Sequence, residues 1–260
     1  MPILRESFAG INGRFHLVGL YTLIDILVRI MVSQATAHPD DWGAFVVPGL
    51  LTALGITFGI VGVVVHAAAG KGERPSFLQV AALLFLPLLW LQTKISLLAY
   101  GPAFAILLGW HSLFAGSVPL ETWVKMPAFR TEPIVETVSL LLFVYATPFA
   151  VRQRATGRRG APIREGLALL FARGTGGARL LIVLLPAILL SAGAHYLRGP
   201  DVTDQVPGVP EGLALLVISY LTLVAVFGTA RLLARRAAAA AEEMRRDDSG
   251  GFGTAAGTGA

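Results

Sequence analysis

The sequence predicts an all-α, polytopic membrane protein with six transmembrane helices, and three observations predict it. First, 55% of the 260 residues are hydrophobic and only 14% are charged, with a mean hydropathy of +0.69. That leaves too little polar surface to cover a water-soluble domain. Second, apolar runs recur at the length of about 20 residues that a membrane crossing needs. Third, seven arginines against one acidic residue, Glu165, fall between Arg152 and Arg179, with long apolar runs on either side. Such a basic loop stays on the cytoplasmic side, because Lys and Arg resist transfer across the bilayer. The net charge of +5 does not point to nucleic acid, since the arginines sit at segment ends and not in a stripe interleaved with aromatics. With no cysteine, disulfides, thiolate metal sites and Cys nucleophiles are excluded.

In chain order, Ile3, Leu4, Phe8, Ile11 and Phe15 recur at helical spacing around Arg5, Glu6 and Arg14. They predict an interfacial helix leading into the first span. The spans run about Phe15 to Ser33, Gly43 to Ala68, Leu88 to Leu113, Ile134 to Val151, Leu180 to Tyr196 and Gly212 to Leu233. Gln34 to Trp42 carries Asp40 and Asp41 without Lys or Arg and reads as external, while Ala69 to Ser76, with Lys71 and Arg74, reads as internal. Since the arginine-rich loop is also internal, the long apolar stretch Phe77 to Gly116 must cross once. Both termini are then cytoplasmic. Gly55, Gly59 and Gly62 give the second span a small-residue face for close helix packing within the bundle. The alanine run Ala237 to Ala241 extends the last helix into the cytoplasm, and residues 237–260 end in a Gly, Ser, Thr and Ala tail expected to be disordered.

A short internal echo explains how the long stretch crosses once. Gly72-Glu73-Arg74-Pro75 followed by Ala82-Leu83-Leu84-Phe85 is repeated, with one residue of slip, as Gly160-Ala161-Pro162 followed by Ala168-Leu169-Leu170-Phe171. In the second copy Ile163, Leu167, Leu170 and Phe171 share one face, opposite Arg164, Glu165 and Arg173. This predicts a helix lying in the cytoplasmic interface. By analogy Ser76 to Leu86 is a first interfacial helix, closed by Pro87, with the third span kinked at Gly101-Pro102. A basic turn, a proline and the run Arg164 to Gly174 leading into a span resemble the six-helix membrane domains of bacterial proteins, one group of which is fused to glycerophosphodiester phosphodiesterases. Arg152, Gln153 and Arg154 stand where those domains tend to carry acidic residues. The resemblance implies a fold and not an activity, because the hydrolytic chemistry of such fusions belongs to a separate soluble domain.

Ionised residues inside lipid are costly and so mark either function or internal pairing. Asp25 and Arg29 stand four apart on one face of the first span and neutralise each other there. A proton or cation relay and a structural ion pair are both open for them. Lys94, in the inner third of the third span, either snorkels to the cytoplasm or reaches Asp25. Arg158, Arg159, Arg164 and Arg173 form the rim expected to meet anionic lipid or a partner. His16 and His66 near cytoplasmic ends, with His111 and His195 near external ends, offer a way to ligate two b-type haems, beside the plainer reading of wetted interfacial side chains. No Gly-x-Ser-x-Gly elbow, His-Glu-x-x-His pair or phosphate loop occurs. The expected function is therefore a non-enzymatic component of an envelope or transport assembly in a bacterial-type inner membrane, without cofactor, metal or nucleic acid and with other subunits as partners. The alternatives are a permease subunit using Asp25, Arg29 and Lys94, and a haem-bearing electron-transfer anchor.

Overall fold

The computed structural model describes residues 2–37, 46–70, 76–114, 132–172, 176–197 and 208–250, whose regular structure is helical. Eight helices follow in order among the described residues: α1 (Pro2–Asn12), α2 (Phe15–Ala37), α3 (Val47–Ala68), α4 (Phe77–Phe114), α5 (Glu132–Thr156), α6 (Pro162–Phe171), α7 (Gly177–Leu197) and α8 (Val209–Gly250). Five of these, α2, α3, α4, α5 and α8, are long and apolar enough to cross a membrane.

Helix α8 is the centre of the bundle, packing against α1, α2, α3, α5 and α7. Every residue from Thr222 to Ala230 is buried, which requires a helix without a polar stripe. The hydroxyls there are satisfied locally: Thr229 Oγ1 donates to the Ala225 carbonyl at 2.9 Å, as Thr22 Oγ1 does to Val18 at 2.9 Å on α2. Amphipathic α1 ends at the Gly13-Arg14 turn and lies against α8 with Ile3 and Ile11 buried. Glycine makes that approach close. A Cβ on Gly10 would fall 2.5 Å from the Phe227 ring, and one on Gly228 would fall 2.8 Å from Ser7 Oγ.

A second cluster joins α3, α4 and α5 through Phe58, Val80, Leu84, Leu88, Leu91, Ile95, Leu142 and Ala146. Here the glycine face foreseen on the second span is in use: a Cβ on Gly59 would fall 2.7 Å from the Phe77 ring, and Val80 and Leu84 press on Gly62. In lipid, where apolar side chains gain nothing by leaving water, such close packing is the main attraction between helices.

The predicted first interfacial helix is corrected. Instead of closing at Pro87, α4 runs unbroken for 38 residues through Pro87 and Pro102. A proline fits helical φ and loses one hydrogen bond, a loss that membrane helices accommodate. The second copy does break, because Ala172 is extended and Gly176 takes φ +78°, a left-handed conformation natural to glycine. At 38 residues α4 is about 57 Å long, nearly twice a hydrocarbon core of about 30 Å. It packs through its first half; after Ala99 the side chains of Tyr100, Phe104, Ile106, Trp110 and Leu113 are more than half exposed.

One boundary also moves. Helix α5 continues past Val151 to Thr156, so Arg152, Gln153 and Arg154 are helical, and the chain turns at Gly157 with φ +65°. Arginine and glutamine are good helix formers, so the charge run alone does not end a helix. Helix α8 reaches Gly250, with an Arg246–Glu242 pair at 3.0 Å on its extension. Residues 251–260 of the expected tail lie outside the described residues.

Candidate functional site

The residues that carry the most unusual electrostatics gather where α5, the turn after it, α6 and the middle of α4 meet. Gly157 reverses the chain after α5, and Pro162, at the first helical position, restarts it as α6. Glu165 then locks the turn, since its Oε1 accepts the Ala161 N–H at 3.1 Å and Gln153 Nε2 at 2.9 Å. Below the turn, α6 lies directly on α5. Gly166 permits this, as a Cβ there would fall 2.7 Å from the carbonyl carbon and oxygen of Tyr145. The buried Tyr145 hydroxyl donates to the Gly177 carbonyl at 2.7 Å, tying α5 to the start of α7.

Between this assembly and α4 lies a cleft of about 590 Å³, walled by Trp90 and Lys94 on α4 and by Arg154, Arg158 and Arg159 at the end of α5. Lys94 Nζ stands 5.0 Å from the centroid of the Trp90 ring, an i,i+4 cation–π contact. Among the described residues none of these four cations is ion-paired. The nearest carboxylate in the turn, Glu165, is already engaged by two donors. Four like charges around one concavity make its potential positive.

Asp25 and Arg29 do pair, with Arg29 Nε 3.3 Å from Asp25 Oδ2, but both side chains remain over a third exposed, at the edge of the bundle. Lys94 does not join them. Its helix packs on α3 and α5, whereas α2 packs on α3 and α8, so α2 and α4 are not packing neighbours. The structure instead brings Lys94 to Arg158 and Arg159. Arg164 is exposed on α6, and Arg173 lies outside the described residues. Of the histidines, His16 is exposed on α2 and His66 half-buried on α3, two helices that do pack together. His111 is partly exposed on the second half of α4, and the side chain of His195 lies outside the described residues. The helices bearing these last two are not packing neighbours among the described residues. No group of three or more His, Asp or Glu side chains that would hold a metal occurs among the described residues.

Comparison with known protein families, curated proteins and solved structures finds no match. Function therefore rests on the site itself.

Five long-range contacts escaped the sequence reading. Glu6 on α1 takes both Arg231 (Nε to Oε2, 3.3 Å) and Arg235 from α8. Arg231 also donates to the Ala68 carbonyl at 3.1 Å, so it satisfies an end carbonyl of α3. Arg152 reaches from α5 to the Leu233 carbonyl at 3.4 Å. Near the opposite end of α5, Ser191 Oγ on α7 donates to Glu136 Oε2 at 2.9 Å. One signal was present in the sequence: Glu6 is the lone acid of α1, while Arg231 and Arg235 are spaced one turn apart.

Proposed function

We propose that this chain is a multi-pass, non-enzymatic component of an envelope or transport assembly in a bacterial-type inner membrane, with its basic end facing the cytoplasm as the surface that meets anionic lipid and partner subunits. The observation that carries the reading is the convergence of Lys94, Arg154, Arg158 and Arg159 on one cleft at the end of apolar helices. Basic residues concentrate on the cytoplasmic side of membrane proteins. In this reading α7, with 21 residues and hence about 32 Å long, supplies a sixth crossing and both termini are cytoplasmic. Helix α4 is uninterrupted from Phe77 to Phe114, which supports one crossing and not a hairpin. A permease path built jointly from Asp25, Arg29 and Lys94 draws no support from this geometry, since Lys94 belongs to the other cleft.

Two measurements test the proposal. Reporter fusions after Ser117 and after Gly160 should report opposite sides, and finding both on one side would overturn the crossing scheme. Gentle detergent purification of the tagged chain from its native membrane, followed by mass spectrometry, should recover stoichiometric partners. Recovery of the chain alone would refute the assembly role.

A further inference from the structure

We infer that the cleft between α4 and the α5–α6 turn is a headgroup site for an anionic phospholipid, with the phosphodiester held by Lys94, Arg158 and Arg159 and the acyl chains running along α4. The inference rests on the membrane reading above and names the ligand of its basic end. Its first support is charge. Lys94, Arg154, Arg158 and Arg159 wall one concavity with no ion-paired partner among the described residues. All four side chains are exposed and within reach of an entering anion, and arginine forks match phosphate oxygens. Size agrees, as about 590 Å³ lies within the range of roughly 300–1,000 Å³ common for small-ligand sites.

The choice of a lipid over a soluble anion comes from the other wall. Trp90 is 59% exposed, and Leu97 and Leu98, beyond Lys94 on the same helix, are 67% and 53% exposed, giving hydrocarbon tails an apolar track that continues out of the cleft. An amphipathic tryptophan beside the cations is the side chain expected at headgroup depth. Helix α6, held on α5 by Gly166 and by the Glu165 turn lock, keeps the arginine turn in place over Lys94. The site is thus built before the lipid arrives.

The test uses the full chain in non-ionic detergent, with dimyristoylphosphatidylglycerol, dimyristoylphosphatidylcholine and inorganic phosphate as separate probes. Native mass spectrometry should show one phosphatidylglycerol retained under activation that strips phosphatidylcholine. The Lys94→Gln/Arg158→Gln/Arg159→Gln variant should retain it at least about tenfold more weakly, given roughly 1 kcal/mol per basic residue near an anionic surface. An equal loss of charge elsewhere, Arg5→Gln/Arg179→Gln/Arg236→Gln, should leave retention unchanged. Equal retention by the cleft variant, or no preference over phosphatidylcholine, overturns the inference. Matching stabilisation by inorganic phosphate alone reassigns the cleft to a soluble anion and overturns it too. If the triple variant does not fold, Lys94→Gln alone, at an exposed position, should still weaken retention severalfold, and unchanged retention refutes the site. An alkaline carbonate wash of the source membranes separates the two failures. Release of the chain sinks the membrane reading itself, whereas a resistant chain without lipid preference sinks only the site.

Discussion

Replacing Gly166 by alanine should unseat α6 from α5, and the size of the effect follows from two opposed terms. Alanine is the better helix former by roughly 0.8–1 kcal/mol, so propensity alone predicts stabilisation. Against it stands the backbone of α5. The added Cβ would lie 2.7 Å from the carbonyl carbon and oxygen of Tyr145 and 2.9 Å from the Ala146 nitrogen, whereas apolar contacts settle at about 3.5–4.0 Å. Main chain within a packed helix cannot swing aside as a side-chain tip does, so α6 must retreat by about 1 Å, and overpacking of this kind costs about 1–3 kcal/mol. The balance is a loss of up to about 2 kcal/mol. Thermal unfolding in detergent reads it, at about 2–4 °C per kcal/mol for a chain of this size. Gly19→Ala supplies the matched control, because Gly19 is exposed on α2 and a Cβ there meets nothing within 4 Å. It should raise the melting temperature or leave it unchanged. If the two variants shift alike, the close approach of α6 to α5 is not what sets the stability of this region. A lowered melting temperature with unchanged lipid retention would show that α6 does not position the arginine turn.

Tyr145→Phe removes the 2.7 Å hydrogen bond to the Gly177 carbonyl and should cost about 0.5–1.5 kcal/mol, read as a lower melting temperature; no change would mean that water replaces the phenol. Arg231→Met removes both the Glu6 bridge and the donor to Ala68. It should destabilise by about 1–2 kcal/mol, while Glu6→Gln, which spares the Ala68 bond at a partly exposed bridge, should cost under about 1 kcal/mol; equal costs refute that division. Thr147→Val should be neutral or stabilising in the same melt, since the Thr147 hydroxyl is fully buried and has no hydrogen-bond partner among the described residues, and a clear loss would reveal a partner for it. Arg29→Leu removes the 3.3 Å partner of Asp25 on α2 and should lower the melting temperature by the equivalent of under about 1 kcal/mol, since both side chains are over a third exposed. Asp25→Asn in the same chain should restore it, and failure of that rescue would show that the pair is not what makes Asp25 tolerable.

What was legible in the sequence is what depends on length and hydropathy. The α2 and α3 cores, the amphipathic α1 and the separate helix α6 all follow from apolar spacing, and the Gly59–Gly62 face packs inside the bundle as its small residues imply. Less legible was the end of α5, because charged residues after a span read as loop although arginine and glutamine propagate a helix readily. The assignment of Lys94 was harder still. Which neighbour it faces depends on how α4 crosses the bundle, and periodicity along one helix carries no information about the helix opposite. The Glu6, Tyr145 and Glu136 bridges connect residues 32 to 229 positions apart, beyond the reach of any local pattern.

The sequence echo between the two basic turns takes a specific structural form. Leu84 and Leu170 occupy matching positions and are both buried, but Leu83 is 52% exposed where Leu169 is fully buried, and Phe85 packs on Phe58 where Phe171 is 76% exposed. The close approach is inverted as well: on the first side the glycines belong to the span, at Gly59 and Gly62, and on the second side Gly166 belongs to the short helix. Similar strings therefore do different packing work. The difference that matters most is the break. The second short element ends at Phe171, where extended Ala172 leaves α6 a separate piece folded back on α5, while α4 continues through Pro87 and carries Trp90 and Lys94 across to the arginine turn. Had both copies ended after their short helix, the chain would gain a second interfacial helix but no continuous arm to bring Lys94 opposite Arg158 and Arg159. The cleft exists because the two turns, alike in sequence, are terminated differently.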